Sequence, residues 1–463
     1  MRHYVGTTLI VALSVVFTGC GKNESAPRSE QDPSSGAAAA ETSLQDQADH
    51  DSTVLTIWWA QWDPAVGLQE LGNDFEKKTG IKVNVRQIPW GKYQEQVFLE
   101  FGNKKTSFDI VVGDSQWLGK GATEGLYVDL TDWLPTVTDI DKIQPQARKY
   151  LCEYPAGSGR FFAAPCETDA CGFAYRKDWF ESEEERKAFK ARYNRDLGVP
   201  DTWDEFVEVA EFFTRPDEQR YGCVLLTGRS YDALVMGFQQ VMWSFGGSWG
   251  DPDTHEVEGH VNSSASADAL NFFKSLLQYT PQGGGNIDYD RILESYKDTK
   301  SAAMLMTYFA FFPAIEGSDI GANTGYFVMP SKDGKRCVSL GGQGFSISAK
   351  TSTQRQTVAK KFIAWFLERE TQEQWITKPG GFTAHTDVLA SEAFRSATSY
   401  NAAFADSLDH MQDFWNLPQY NELLSIAMSH LGEALDNDTV TAKQALDRIA
   451  EEQTEVLQDA GLL

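Results

Sequence analysis

Phe75-Glu76-Lys77-Lys78-Thr79-Gly80-Ile81-Lys82-Val83-Asn84-Val85 holds the end of one element and the start of the next. Gly80 is a natural helix stop, because glycine adopts the left-handed conformation after a helix without a Cβ penalty. Before it, Val66, Leu68, Leu71 and Phe75 give an apolar stripe, and Asp63-Pro64 reads as an N-cap followed by the first helical residue. After it, 81–85 alternates as a strand. Working outward, 54–59 is β-rich and 93–101 has helical periodicity. Residues 108–112 form a nearly continuous apolar strand, as expected of a sheet covered on both faces. Strand, helix, strand, helix, strand predicts an α/β unit with right-handed crossovers and a parallel sheet. Such sheets bind ligands beyond the carboxyl ends of their strands. Those ends carry Trp59-Ala60-Gln61-Trp62-Asp63 and Gly113-Asp114-Ser115-Gln116-Trp117.

The chain has 463 residues, with 41 Lys+Arg against 66 Asp+Glu, a net charge of −25. The length allows two to four domains or one large two-lobed body. Hydrophobic residues at 41% exclude global disorder. The acidic balance excludes a nucleic-acid backbone binder and disfavours adhesion to anionic membranes by charge. No Gly-x-x-x-x-Gly-Lys-Ser/Thr loop occurs, so the chain is not the ATPase of a transporter. Further along, Thr202-Trp203-Asp204-Glu205 is a capping box, with Phe206, Val209, Ala210 and Phe213 as the helix face. Leu270, Phe273 and Leu277 mark another helix, 302–307 a buried strand, and 442–457 a long C-terminal helix.

Arg2 and the apolar run 7–17 form a signal segment, too short to span a bilayer. Cys20, directly after small residues, resembles a bacterial lipobox. That resemblance implies a signal peptide over 1–19, cleavage before Cys20 and lipidation of its thiol, giving membrane attachment through the lipid anchor only. Residues 20–52 are polar and small, the composition of a flexible tether. Beyond Cys20 there are Cys152, Cys166, Cys171, Cys223 and Cys337. In an exported protein some could pair, Cys152 and Cys166 facing each other across the Gly157-Ser158-Gly159 turn; small buried apolar residues are the alternative. Neither close pair has metal-site spacing, so no metal and no cofactor is expected.

The stretch around Thr79-Gly80-Ile81-Lys82-Val83 resembles the first βαβ unit of bacterial extracellular solute-binding proteins of the maltose-binding type. Phe108-Asp109-Ile110-Val111-Val112-Gly113-Asp114 sits where that family has its third strand. Gly172-Phe173-Ala174-Tyr175-Arg176 is similar to the segment entering its second lobe, with Arg176 where Asn is usual. Pro200-Asp201-Thr202-Trp203-Asp204-Glu205, Gly341-Gly342, Ala359-Lys360-Lys361-Phe362 and Asn416-Leu417-Pro418-Gln419 follow in family order. The resemblance implies two lobes, each a mostly parallel sheet flanked by helices, joined by a hinge. The first lobe is expected over 53–166 plus 344–400, the second over 167–343 plus 401–463.

Candidate ligand contacts follow from strand ends and from the resemblance. Trp58 and Trp59 should alternate, one buried and one turned out, while Trp62 in the loop is the better stacking residue. Asp63 is a cap or a ligand acceptor. Asp114 and Gln116 end the third strand; Trp117 either stacks or enters the core. By resemblance, Asp169 matches an acidic contact after the hinge, with Glu167 its competitor, and Tyr308 and Phe309 lie in a ligand-stacking segment. Trp243 begins an aromatic-glycine loop that also reads as a helix end. Gly342 and Gln343 belong to the second hinge crossing, and Trp415 is rim or core. Aromatic faces cover the apolar faces of a sugar and carboxylates accept its hydroxyls. The expectation is a lipid-anchored, monomeric sugar-binding subunit of an ATP-binding-cassette (ABC) importer, docking onto its permease and not itself an enzyme. The rivals are a carbohydrate-active hydrolase and a binder of polyamines or other small solutes.

Overall fold

The computed structural model describes residues 54–463. The expected signal segment, Cys20 and the tether lie outside them. No described helix is long and apolar enough to cross a membrane.

Strands β1 (Val54–Ala60), β2 (Lys82–Ile88) and β3 (Ile110–Asp114) pair in parallel, with β1 in the middle. The helices Asp63–Thr79 and Trp90–Phe101 make the crossovers. Next come β4 (Ala164–Arg176), β5 (Tyr221–Val224), β6 (Ala302–Tyr308), β7 (Thr324–Val328), β8 (Val338–Ile347) and β9 (Met411–Gln412). The sheet order is β2-β1-β3-β8-β4-β6-β5, with β7 beside β4 and β9 beside β8. The sheet is mixed: parallel pairing holds for β1 with β2 and β3, for β5 with β6 and for β8 with β9, whereas β3–β8, β8–β4, β4–β6 and β4–β7 are antiparallel.

Strand β4 joins the two ends of this sheet. Its first half pairs with β8, through Ala170, and its second half, from Cys171, pairs with β6 and β7. A register shift falls between Pro165 and Glu167, opposite β8. There Gly342 has φ 93°, in the left-handed region, and a Cβ on it would lie 2.3 Å from the Glu167 carbonyl oxygen. Only glycine fits that crossing.

The capping box forms: Thr202 accepts from the Glu205 N–H while Glu205 accepts from the Thr202 N–H. Other local expectations shift. Trp58 and Trp59 are both buried, because each face of β1 is covered. Trp58 packs on Phe108 under the Arg86 guanidinium, and Trp59 packs on Trp62 and Trp375. Val66 leaves the apolar stripe and is 48% exposed. The cap position of the first helix is Trp62, so Asp63 opens the helix without capping it by its side chain. The five described cysteines are buried free thiols; Cys152 and Cys166 form no disulfide.

Candidate functional site

A cavity with about 450 Å³ of empty space lies at the carboxyl ends of β1, β2, β3, β5 and β6, against the middle of β4 and β8. The parallel strand ends deliver its walls, as expected for open α/β sheets. Of the residues singled out from sequence, Trp62, Asp114, Gln116, Asp169, Tyr308, Gly342 and Gln343 line it.

Four rings form its aromatic wall. Trp62 meets Trp90 edge-on at 5.1 Å and Phe311 at 5.6 Å, and Tyr289 stacks on Phe311 with the rings 7° from parallel. Trp62 and Trp90 keep indole N–H groups without partners. Phe311 reaches the cavity with Tyr308 because a short 3₁₀ turn, Phe309–Phe311, follows β6. Side chains three apart on such a turn share a face. The same turn carries Phe309 inward against Phe312, Phe382 and Phe404, so this residue belongs to the core.

The polar wall is acidic and amidic. Asp114 accepts from Tyr231 Oη at 2.6 Å and from Gln343 Nε2 at 2.7 Å. Burial lifts its carboxyl to about 6, against the pull of those two hydrogen bonds. Asp232 accepts from Tyr289 Oη at 2.9 Å; burial and then the charge of Asp114 raise it to about 8. Asp169 accepts from the N–H groups of Ala170 and Ala310, yet burial still pushes it up. Glu167 lies behind the cavity wall, fully buried with both carboxyl oxygens unpartnered. Burial, then the charges of Asp169 and Asp114, hold it well above the usual range, so a neutral acid fits its surroundings.

The remaining candidates are not brought to this cavity. Trp117 is buried against Tyr93 and Phe98 and donates its N–H to Tyr231 Oη at 2.9 Å. It therefore holds a wall residue from behind. Asp63 sits half-buried in the first helical turn, its carboxyl raised by burial. Trp243 and Trp415 line a second, wider cavity with Tyr150, Tyr154 and Trp249. The helix Ala233–Ser244 ends beside Trp243, with Gly246 at φ 96° and the Gly247 N–H on the Met242 carbonyl, so this loop is a helix stop.

Sequence reading did not find Trp90, Tyr231, Asp232 or Tyr289, and within the ligand-stacking segment 308–312 it preferred Phe309 where Phe311 lines the cavity. Trp90 follows Pro89 at the end of β2, the same kind of strand end that pointed to Trp62. Tyr231 and Asp232 follow β5, a strand of four residues with no periodic signal.

Residues 60–373 match the family described as bacterial extracellular solute-binding proteins. The chain belongs to this family. The solute-binding protein is 23% identical over 461 residues to the galactooligosaccharide-binding protein of Bacillus subtilis, covering 96% of this chain and 94% of that one. It is 24% identical over 181 residues to the erythritol/L-threitol-binding protein of Mycolicibacterium smegmatis. That second match spans 37% of this chain and 36% of the relative's length. In fold, the solute-binding protein is similar to an ABC transporter solute-binding protein from Agrobacterium radiobacter K84 in complex with ribitol. The TM-score is 0.75 at 24% identity, over 87% of this chain and 98% of the other.

Proposed function

We propose that this solute-binding protein is the capture subunit of an ABC importer for a sugar or sugar alcohol. It closes two lobes around the solute, delivers it to the permease and catalyses no reaction. The observation that carries the reading is the composition of the cavity, in a chain of this family. Rings of Trp62, Trp90, Tyr289 and Phe311 face carboxylate and amide groups, and both N–H donors and oxygen acceptors stand without partners. A polyhydroxylated molecule offers apolar faces for the rings and hydroxyls that both donate and accept. The relatives that bind galactooligosaccharide, erythritol and ribitol support the same class.

The lobes would be 53–166 plus 344–400 and 167–343 plus 401–463, hinged where β4 and β8 cross. The lipobox-like Cys20 would anchor the exported protein to the membrane, and the protein would act as a monomer. Calorimetric titration of the purified protein with a panel of sugars and polyols tests the reading. Saturable binding with no products released supports it; turnover of an oligosaccharide would return the chain to the hydrolases, and failure of the whole panel would remove the sugar or polyol. Mass spectrometry of the native protein should find a modified Cys20 as its first residue.

A further inference from the structure

The charged groups of the cavity share one sign. Asp114, Asp169 and Asp232 line it, and no lining residue is Lys, Arg or His. Asp232 precedes the helix Ala233–Ser244 but does not cap it through its side chain. Its carboxylate, in a residue 4% exposed, turns instead to Tyr289 Oη at 2.9 Å. Taking carboxylates out of water without a counter-charge is costly. Two more acceptors await a donor: Gln116 Oε1 and Gln343 Oε1 have no partner, in residues 6% and 4% exposed that line the same cavity. Around them stand the faces of Trp62, Trp90, Tyr289 and Phe311, whose negative quadrupole attracts a cation. Among the described residues no three His, Cys, Asp or Glu side chains are grouped to hold a metal ion.

We infer that the solute carries a protonated amine: an amino sugar or amino polyol whose ammonium group meets Asp232 and Asp114 beside the aromatic wall. The inference rests on the sugar or polyol reading and narrows it. A neutral sugar satisfies the same acceptors but leaves Asp114, ionised near neutral pH, without a counter-charge and Asp232 as the neutral acid that burial favours, whereas an ammonium group between them lets both ionise. An ammonium group adds a charge-assisted hydrogen bond, about twice as strong as its neutral counterpart, and a cation–π contact with the aromatic wall.

Matched ligands test it. Calorimetry near neutral pH compares glucosamine with glucose and N-acetylglucosamine, and glucamine with glucitol. In N-acetylglucosamine the nitrogen remains and its charge is gone. The expected result is that at least one amine binds about tenfold or more tighter than its neutral partners, a difference of about 1.4 kcal/mol, and that added salt narrows the gap. Asp232→Asn should reduce the ratio toward one while the variant still binds the neutral member. If that variant does not fold, Asp114→Asn serves in the same comparison. Neutral members binding as tightly as the amines would overturn the inference and leave the sugar or polyol reading standing. So would binding of other neutral sugars or polyols with none of the amines. Failure of every sugar and polyol, charged or neutral, would overturn both.

Discussion

Tyr231 Oη donates to Asp114 Oδ2 at 2.6 Å across 117 positions of sequence, joining the loop after β5 to the end of β3. The same hydroxyl accepts from Trp117 Nε1, so one oxygen ties both sides of the cavity together. Tyr231 does this from φ 51°, a left-handed backbone that a bulky residue adopts only when its surroundings fix it. If the proposed lobes open and close around solute, contacts made by this hydroxyl belong to the closed form.

Tyr231→Phe removes that oxygen and keeps the ring. Asp114 loses a donor and Trp117 an acceptor, and leaving such groups unsatisfied costs about 1–3 kcal/mol. The expected outcome is a lower melting temperature and a larger radius of gyration in small-angle scattering without ligand. Unchanged values of both would mean that the bond does not hold the closed form.

Trp62 and Tyr308 both line the cavity but differ in what lies behind them. Trp62 is half-buried, in ring contact with Trp59, Trp90 and Phe311. Trp62→Ala should weaken solute binding about tenfold or more, as loss of an aromatic contact and its area predicts, with a modest change in melting temperature. Tyr308 is buried and hydrogen-bonds Ser339 Oγ at 2.7 Å. Tyr308→Ala should lower stability by about 3–5 kcal/mol as well as binding. Equal thermal shifts for the two variants would count against this division.

Much of the frame was legible because it is written in short-range patterns. Gly80 takes φ 76° with its N–H on the Glu76 carbonyl, as a helix stop should, and β1, β2 and β3 fall at or near the expected strands. Their ends led to Trp62, Asp114 and Gln116. The rest depended on facts that no local pattern holds. Which of Tyr308, Phe309 and Phe311 turns to the cavity is decided by the 3₁₀ turn after β6. Whether Trp117 stacks on solute or supports Tyr231 is decided by a residue 114 positions away. Tyr231, Asp232 and Tyr289 come from connections whose strands are short or absent, so there was no strand end at which to look for them.

Burial of Asp232 makes the stability of the fold sensitive to pH. Its carboxyl is raised from the usual value of 3.8 to about 8. Between those values the folded chain holds a proton that the unfolded chain releases, so stability falls as pH rises. This contribution is fully present below the unfolded pKa and is lost as pH passes through about 8. Melting temperature should therefore decline from about pH 5 to about pH 9, and Asp232→Asn should flatten the decline. A wild-type curve that rises over that range, or a variant with an unaltered slope, would contradict the placement of a buried carboxyl here.

Gly342 joins the crossing strands to the cavity. It lines the cavity beside Gln343, and its φ of 93° sets β8 against the shifted register of β4 at Pro165–Glu167. Gly342→Ala adds a methyl carbon 2.3 Å from the Glu167 carbonyl oxygen in a backbone region that disfavours a side chain. Strain of that kind costs about 1–3 kcal/mol, and backbone must shift to relieve it. If the crossing is the hinge, the shift changes the angle between lobes, and the closed form loses population relative to the open one. Solute affinity then falls by the same factor that closure becomes harder, although Gly342 offers the solute no side chain. The expected outcome is weaker binding together with a larger radius of gyration at subsaturating solute, recovering when solute is in excess. Weaker binding with an unchanged radius would make Gly342 a local wall of the cavity. Normal binding and normal melting would show that the crossing tolerates a Cβ, and the hinge would have to lie elsewhere along β4 and β8.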